Sequence, residues 1–324
     1  MVEITFELTR RCNYDCAHCL RDFDHQVSDL PLDLMDRVIG QALRYGVSKV
    51  GWTGGEPTLH PNFGEALDIV ASHGLKVHFV TNGTTFVRRV VPLLRSPARR
   101  EAFDFVVFSL DGSTAAIQDR IRAPKAYEKV MRSIAACKAL GLRFGLSFIV
   151  GQLNRDDLDR VALLASHLGA EFLSIDHTHP TPENVRRGVP LPLDEWRSVE
   201  QDLHRLTKAL SLRLTPCQTM YNTNPLYMCP TKAGQVLHVD FEGNLIFCCT
   251  LSAFRDGTGE RQDIIADLRT TSLFDAHRLW MDRAHELQRE RLALVEQGRL
   301  RPADYYPCLS CHRQFGHMGW TDAY

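Results

Sequence analysis

Ten of the 324 residues are cysteines. Three of them, Cys12, Cys16 and Cys19, stand in the run RCNYDCAHCL with C-x3-C-x2-C spacing. Thiolates this close do not form a sensible disulfide set. They can hold three irons of a four-iron cubane and leave the fourth iron open to a ligand, as a catalytic zinc keeps one open position. The plainer alternative is an incomplete zinc knuckle. Six more cysteines follow Leu214: Cys217, Cys229, Cys248, Cys249, Cys308 and Cys311. The tenth, Cys137, lies in the helical pattern MRSIAACKAL and reads as a small buried hydrophobe. The pair Cys248-Cys249 ends LIFCC, which reads as a β-strand. Strand alternation would put the two sulfurs on opposite faces, so that one could serve a metal centre and the other stay free.

These residues need a scaffold, and the sequence supplies a regular one. Candidate strands are Val2–Leu8, Lys49–Thr53, Lys76–Thr81, Phe105–Leu110, Phe144–Val150 and Phe172–Asp176. Amphipathic segments lie between them near Leu32–Tyr45, Phe63–Ser72, Val87–Leu94, Tyr127–Leu140 and Asp157–Leu168. Six strands alternating with helices predict an α/β fold with a parallel sheet and crossover helices. Gly46, Gly74, Gly141 and Gly169 sit where such helices would stop. The Pro-rich run HTHPTPENVRRGVPLP reads as a linker or long loop. A helix near Asp194–Leu210 follows, with Trp196, Val199, Leu203 and Leu206 on one face. The expected division is residues 1–213 and residues 214–324. In the second part VLHVDFEGNLIFC reads as a hairpin turning at Glu242-Gly243, and Arg278–Gln297 reads as a half-solvated helix.

Composition narrows the function. The chain is 44% hydrophobic, ample for a large core. Its 38 Lys and Arg against 39 Asp and Glu leave a net charge of −1, which speaks against a general nucleic-acid or membrane binder. No signal-peptide pattern opens the chain, and no run approaches the roughly 18 apolar residues of a membrane span. A cytosolic location is expected, where ten reduced cysteines suggest metal binding or redox chemistry.

The first cysteine motif resembles the signature of the radical S-adenosylmethionine (SAM) enzymes. Other stretches resemble that family's motifs in order: Thr53-Gly54-Gly55-Glu56-Pro57 at the second strand's end, Thr81-Asn82-Gly83 at the third, Ser109-Leu110-Asp111-Gly112 at the fourth. Ser147 to Asn154 resembles the adenine-side motif through Ile149 and Gly151, with Ser147 and Asn154 departing from it. The resemblance implies a partial (β/α)6 TIM-like barrel with its active site at the strands' C-terminal ends. It implies that Cys12, Cys16 and Cys19 hold a SAM-binding 4Fe–4S cluster. SAM would be bound by His18, Gly54, Gly55, Glu56, Asn82, Ser109, Asp111, Ile149 and Gly151. Reductive cleavage would then give methionine and a 5′-deoxyadenosyl radical.

Cys229, thirteen residues, Gly243, four residues and Cys248, closed by Cys308-x2-Cys311, resembles the auxiliary-cluster region of the SPASM/twitch subgroup. On that resemblance Cys229, Cys248, Cys308 and Cys311 hold a second 4Fe–4S cluster in a small twitch-like domain. Zinc is the alternative metal, and Cys217 the reserve ligand. Small twitch enzymes acting on aminocyclitols and aminoglycosides are one relevant group. A dehydrogenase among them needs no thiol, whereas an epimerase must return a hydrogen atom to the carbon it attacked. Cys249, spare and adjacent to a ligand, favours the epimerase: inversion of one carbon of an aminoglycoside, of the neomycin C to neomycin B type. A dehydrogenase and a ribosomal-peptide maturase are the alternatives; many maturases carry an N-terminal leader-binding domain, for which a motif beginning at Cys12 leaves no room. The expected partners are the aminoglycoside and an electron donor such as flavodoxin or ferredoxin. Candidate contacts for a polyamine are Glu7, Asp111, Asp176, Asp240 and Glu242, with His177 beside them.

Overall fold

The computed structural model describes residues 3–21, 28–217, 219–252, 254 and 261–317. Ten strands form one sheet: β1 (Glu3–Thr9), β2 (Lys49–Gly54), β3 (Lys76–Thr81), β4 (Phe103–Ser109), β5 (Phe144–Val150), β6 (Phe172–His177), β7 (Arg213–Pro216), β8 (Val236–Val239), β9 (Asn244–Ile246) and β10 (Ile264–Asp267). Their order is β10-β9-β8-β1-β2-β3-β4-β5-β6-β7. β1 to β7 pair in parallel. β8 joins β1 in parallel, and β9 and β10 continue antiparallel. The six expected strands are all present, with Val2 outside the described residues. Helices connect them, as parallel pairing demands, and the whole is a partial TIM-like barrel.

Alternation explains the packing. Ile4, Phe6, Leu8, Val77, Phe79, Val106, Phe108, Leu146 and Phe148 are fully buried, since every second strand residue faces the helical layer or the barrel interior. The helix Leu193–Ala209 buries Trp196, Val199, Leu203 and Leu206, the four expected. Gly46 and Gly169 end their helices in the left-handed conformation, at φ of 73° and 78°, which a side chain would disfavour. The hairpin turn is at Gly243, with φ of 88°.

Three expectations need correction. Val87–Leu94 is two helical pieces, a π turn Phe86–Val90 and a short α turn Val91–Leu93, because Pro92 has no N–H to continue a ladder. The Pro-rich run, expected as a linker or long loop, is packed into the fold: His177, Thr178, His179, Thr181 and Asn184 are buried. Thr181 and Asn184 close a capping box on the helix Pro182–Arg186, satisfying backbone groups that burial would otherwise strand. The sheet also runs on past the expected division, since the step from residue 213 to 214 lies inside β7. β7 pairs with β6 and β8 with β1, so the cysteine-rich part embraces both edges of the six-strand sheet.

Candidate active site

The C-terminal ends of the strands converge on one cavity. Cys12, Cys16, Cys19 and His18 line it from the loop after β1, Gly54, Gly55 and Glu56 from the end of β2, Asn82 from β3, Ser109 from β4, Ile149 from β5, and Asp176 and His177 from β6. The backbone explains how the cysteine loop is aimed. Gly55 N–H donates to the Thr9 carbonyl and Glu56 N–H to the Arg11 carbonyl, both at 2.8 Å. The β2 end is thus stitched to the chain that enters Cys12. A Cβ on Gly55 would lie 2.1 Å from the Arg11 oxygen; what these glycines admit is the protein's own backbone.

Glu56 is fully buried. Its Oε1 accepts from the hydroxyls of Thr58 and Thr81, at 2.5 and 2.7 Å, and its Oε2 from Asn82 N–H at 2.8 Å. Burial pushes its carboxyl above the usual range, and those donors oppose the rise. Such a preset acceptor, short of a cation, suits an ammonium.

Asp111 differs from its expected roles. It does not line the cavity: its oxygens accept from His18 Nε2 at 2.9 Å, Arg122 Nε at 2.5 Å and Ile149 N–H at 2.9 Å. Burial alone would raise its carboxyl; Arg122 and His18 override that and hold it well below the carboxylate range. It orients the two side chains that do reach the cavity. Arg122, which the sequence reading missed, also sets Nη1 3.8 Å from the Cys16 sulfur. Nothing in the run IRAPK distinguishes it from the scattered surface arginines.

Gly151 also falls outside the cavity. Its missing side chain makes room for the Val189 carbonyl and Thr178 hydroxyl, which a Cβ would meet at 2.6 and 2.8 Å. Asn154, the departure from the motif, accepts from Gly151 N–H and donates to the carbonyls of Asp111 and Ile149.

Among the polyamine contacts, Asp176 and His177 line the cavity. Glu7 is buried in an ion pair with Arg21 at 2.7 Å and accepts from the Ser252 hydroxyl at 2.9 Å. Asp240 is fully buried in the hairpin turn, held by Asn244 and Arg261, and Glu242 is exposed on the same turn. Neither lines the cavity, because the turn spends Asp240 on its own backbone and leaves Glu242 to solvent.

A second cavity is lined by Cys229, Cys248, Cys308 and Cys311 together. Four thiols in one enclosure are the number and kind that fill all four irons of a cubane. Arg291 braces the elements around them. It is buried, and it donates to the carbonyls of Pro225 and Asp304, at 2.8 and 2.5 Å, and to the Ser310 hydroxyl at 3.0 Å. Cys217 does not line this cavity; its sulfur lies 3.2 Å from the Ser174 hydroxyl. Cys137 is buried in the core, as expected.

The Cys248-Cys249 pair departs from the alternation argument. β9 ends at Ile246, so both cysteines sit in the following turn. Their sulfurs and a His238 ring nitrogen lie within 4.8 Å of one another. The Cys249 thiol is held below its ordinary value, first by its hydrogen bond with Cys248 and then, against burial, by Arg21. A Cys248 sulfur bound to iron has no proton to donate, which would remove the larger cause. Cys249 itself lines neither cavity, but it adjoins the lining of both. Its carbonyl accepts from Arg21 Nη2 at 3.2 Å, Arg21 lines the first cavity, and Cys248 lines the second.

Residues 6–165 match the family model described as the Radical SAM superfamily. The mycofactocin maturase MftC of Mycobacterium tuberculosis is 32% identical over 169 residues, 52% of this chain and 42% of that protein. The PqqA peptide cyclase of Ruegeria pomeroyi is 29% identical over 177 residues, 52% of this chain and 45% of the relative. The chain therefore spans less than half the length of these relatives. In fold it resembles native anSMEcpe with bound AdoMet and Cp18Cys peptide, with a TM-score of 0.69 at 14% identity, covering 89% of this chain and 83% of that one. No helix among the described residues is long and apolar enough to cross a membrane. With its cysteine loop, its Glu56 cradle and its partial barrel, the chain belongs, through residues 6–165, to the radical SAM superfamily of enzymes.

Proposed function

We propose that this radical SAM enzyme takes a hydrogen atom from a substrate carbon and returns one to the same carbon from Cys249. The observation that carries the reading is that Cys249 follows Cys248, which lines the cavity of Cys229, Cys308 and Cys311, while its carbonyl accepts from Arg21, which lines the cavity of Cys12, Cys16 and Cys19. When bound, SAM on the first cluster supplies the radical that breaks the C–H bond, and an auxiliary cluster in the second cavity supplies an electron. The chain's residues do the rest. Glu56 receives the methionine ammonium, and Arg122 and His18, fixed by Asp111, shape the SAM side. The Cys249 S–H bond breaks as its hydrogen forms a C–H bond on the opposite face of the substrate carbon. The Cys249 sulfur would then take a proton from water and one electron from a donor such as flavodoxin or ferredoxin, by way of a cluster that Cys229, Cys248, Cys308 and Cys311 would hold.

The relatives favour a ribosomal peptide as substrate over an aminoglycoside, since they include a maturase and a peptide cyclase. Each matches 52% of this chain. The aminoglycoside reading keeps one observation of its own. Asp176 lines the cavity and its charge is felt at Cys249, beside the place where a polyamine would be inverted.

Turnover in deuterated water with SAM and reductant tests the return step, with neomycin C and with a candidate precursor peptide as separate substrates. The expected product carries one deuterium at the attacked carbon, because thiol hydrogens exchange with water. Cys249→Ala should still cleave SAM and yield no inverted product. Normal inversion by Cys249→Ala, or product without deuterium, contradicts the reading. Which substrate is turned over decides between the two classes.

A further inference from the structure

The end of β6 sends two histidines to the rim of the SAM cavity that no step above uses. His177 and His179 both line that cavity, at 1% and 3% exposure. Among the described residues, neither ring nitrogen of His177 has a hydrogen-bond partner, nor does Nε2 of His179. The rings are nevertheless fixed. His177 stacks on Trp196, with ring centroids 4.0 Å apart and planes 9° apart. His179 is held through Nδ1, 3.1 Å from His312 Nε2. Packing has thus oriented two imidazoles and left three nitrogens unspent, although buried polar groups ordinarily find partners.

We infer that His177 and His179 form the substrate-recognition edge of the cavity, hydrogen-bonding an uncharged hydroxyl or amide group. This rests on the reading that the substrate lies beside SAM in this cavity. A neutral imidazole offers one donor and one acceptor, so the pair matches a group that also donates and accepts. Burial lowers both histidines, with His177 down to about 3, so both are neutral near pH 7. They therefore bring no charge to pair with a carboxylate or an ammonium. Asp176 Oδ1, beside them, already accepts from the Thr219 hydroxyl and the backbone N–H of His177, and the ring nitrogens remain to read a neutral group. A sugar hydroxyl and a peptide amide share this chemistry.

Two substitutions isolate the nitrogens while preserving the packing. His177→Phe keeps the stack on Trp196 and removes both nitrogens. His179→Asn keeps a polar atom near Nδ1 and removes Nε2. In the iron-loaded enzyme both variants should bind SAM within about twofold of the wild type and cleave it without substrate at the usual rate. KM should rise about 10–100-fold, the loss expected of a buried hydrogen bond, with kcat changed less than about threefold. Neomycin C and the precursor peptide are run as separate arms to tell hydroxyl from amide. An unchanged KM for the substrate that the wild type accepts overturns the inference. A crystal structure of the SAM-loaded wild type decides independently of any substrate. The three nitrogens should face space that SAM leaves open, and a SAM atom hydrogen-bonded to either ring overturns the assignment. A wild type that accepts neither compound would refute the substrate classes proposed above, while that structure still decides the histidines.

Discussion

At the scale of single residues, the site is organised by groups that spend their charge on one another. Asp111 shows how far a motif position can be read. Its place after β4 was legible from Ser109-Leu110-Asp111-Gly112, but its work was not, because Arg122 and His18 reach it only through the fold. Asp111→Asn leaves Arg122 buried without its carboxylate and should cost about 3–5 kcal/mol. The check is a lower urea midpoint at unchanged slope; an unmoved midpoint contradicts the argument. The pH dependence follows from a depressed carboxyl. Its contribution is complete well above the unfolded value of about 3.9 and is lost as pH falls below it toward the folded value, so Asp111 gives no pH dependence between pH 6 and 8. Cys249 was legible as a spare thiol next to a proposed ligand. Its geometry was not, because the strand that supported the alternation argument stops two residues short of Cys248.

At the scale of elements, the strand and helix rhythm was nearly all in the sequence. Apolar runs of strand length, glycine stops and the face of Trp196, Val199, Leu203 and Leu206 are local signals. What escaped were pairings and burial. β7 is four residues, Arg213–Pro216, too short to announce itself, and it forms because β6 offers an unpaired edge. The buried run after β6 looked like a linker because prolines mark turns equally well inside and outside a core. The seam between the β2 end and the cysteine loop carries a direct test. Gly55→Ala sets a methyl 2.1 Å from a backbone oxygen that has no rotamer to yield. The Thr9–Arg11 segment must then move, and Cys12 with it. The variant should lose the SAM-binding cluster, seen as a halved iron content, while the other cluster remains. Wild-type iron content in Gly55→Ala would contradict the seam.

At the scale of the whole molecule, one continuous sheet carries two cysteine cavities, and the Cys248-Cys249 turn lines one through Cys248 and is bonded to Arg21 of the other. The first cavity was legible because its three cysteines sit within eight residues of chain, Cys12 to Cys19. The second draws on Cys229, Cys248, Cys308 and Cys311: Cys248 follows the β8–β9 hairpin, and Cys308 and Cys311 sit on the helix Pro307–Gln314, which Arg291 of the helix Leu273–Glu296 braces through Ser310. Only the resemblance to an auxiliary-cluster region, not local spacing, pointed to that set. Asp240 and Glu242 lie outside the first cavity, because the turn spends Asp240 on its own backbone and leaves Glu242 exposed. Iron and acid-labile sulfide, counted in anaerobically purified wild type and in Cys311→Ala, test the two-cavity account most directly. The account predicts about eight irons per chain in the wild type and about four in the variant, with SAM cleavage by a strong chemical reductant retained. Stoichiometric zinc without iron, or an iron content that Cys311→Ala leaves unchanged, would contradict it.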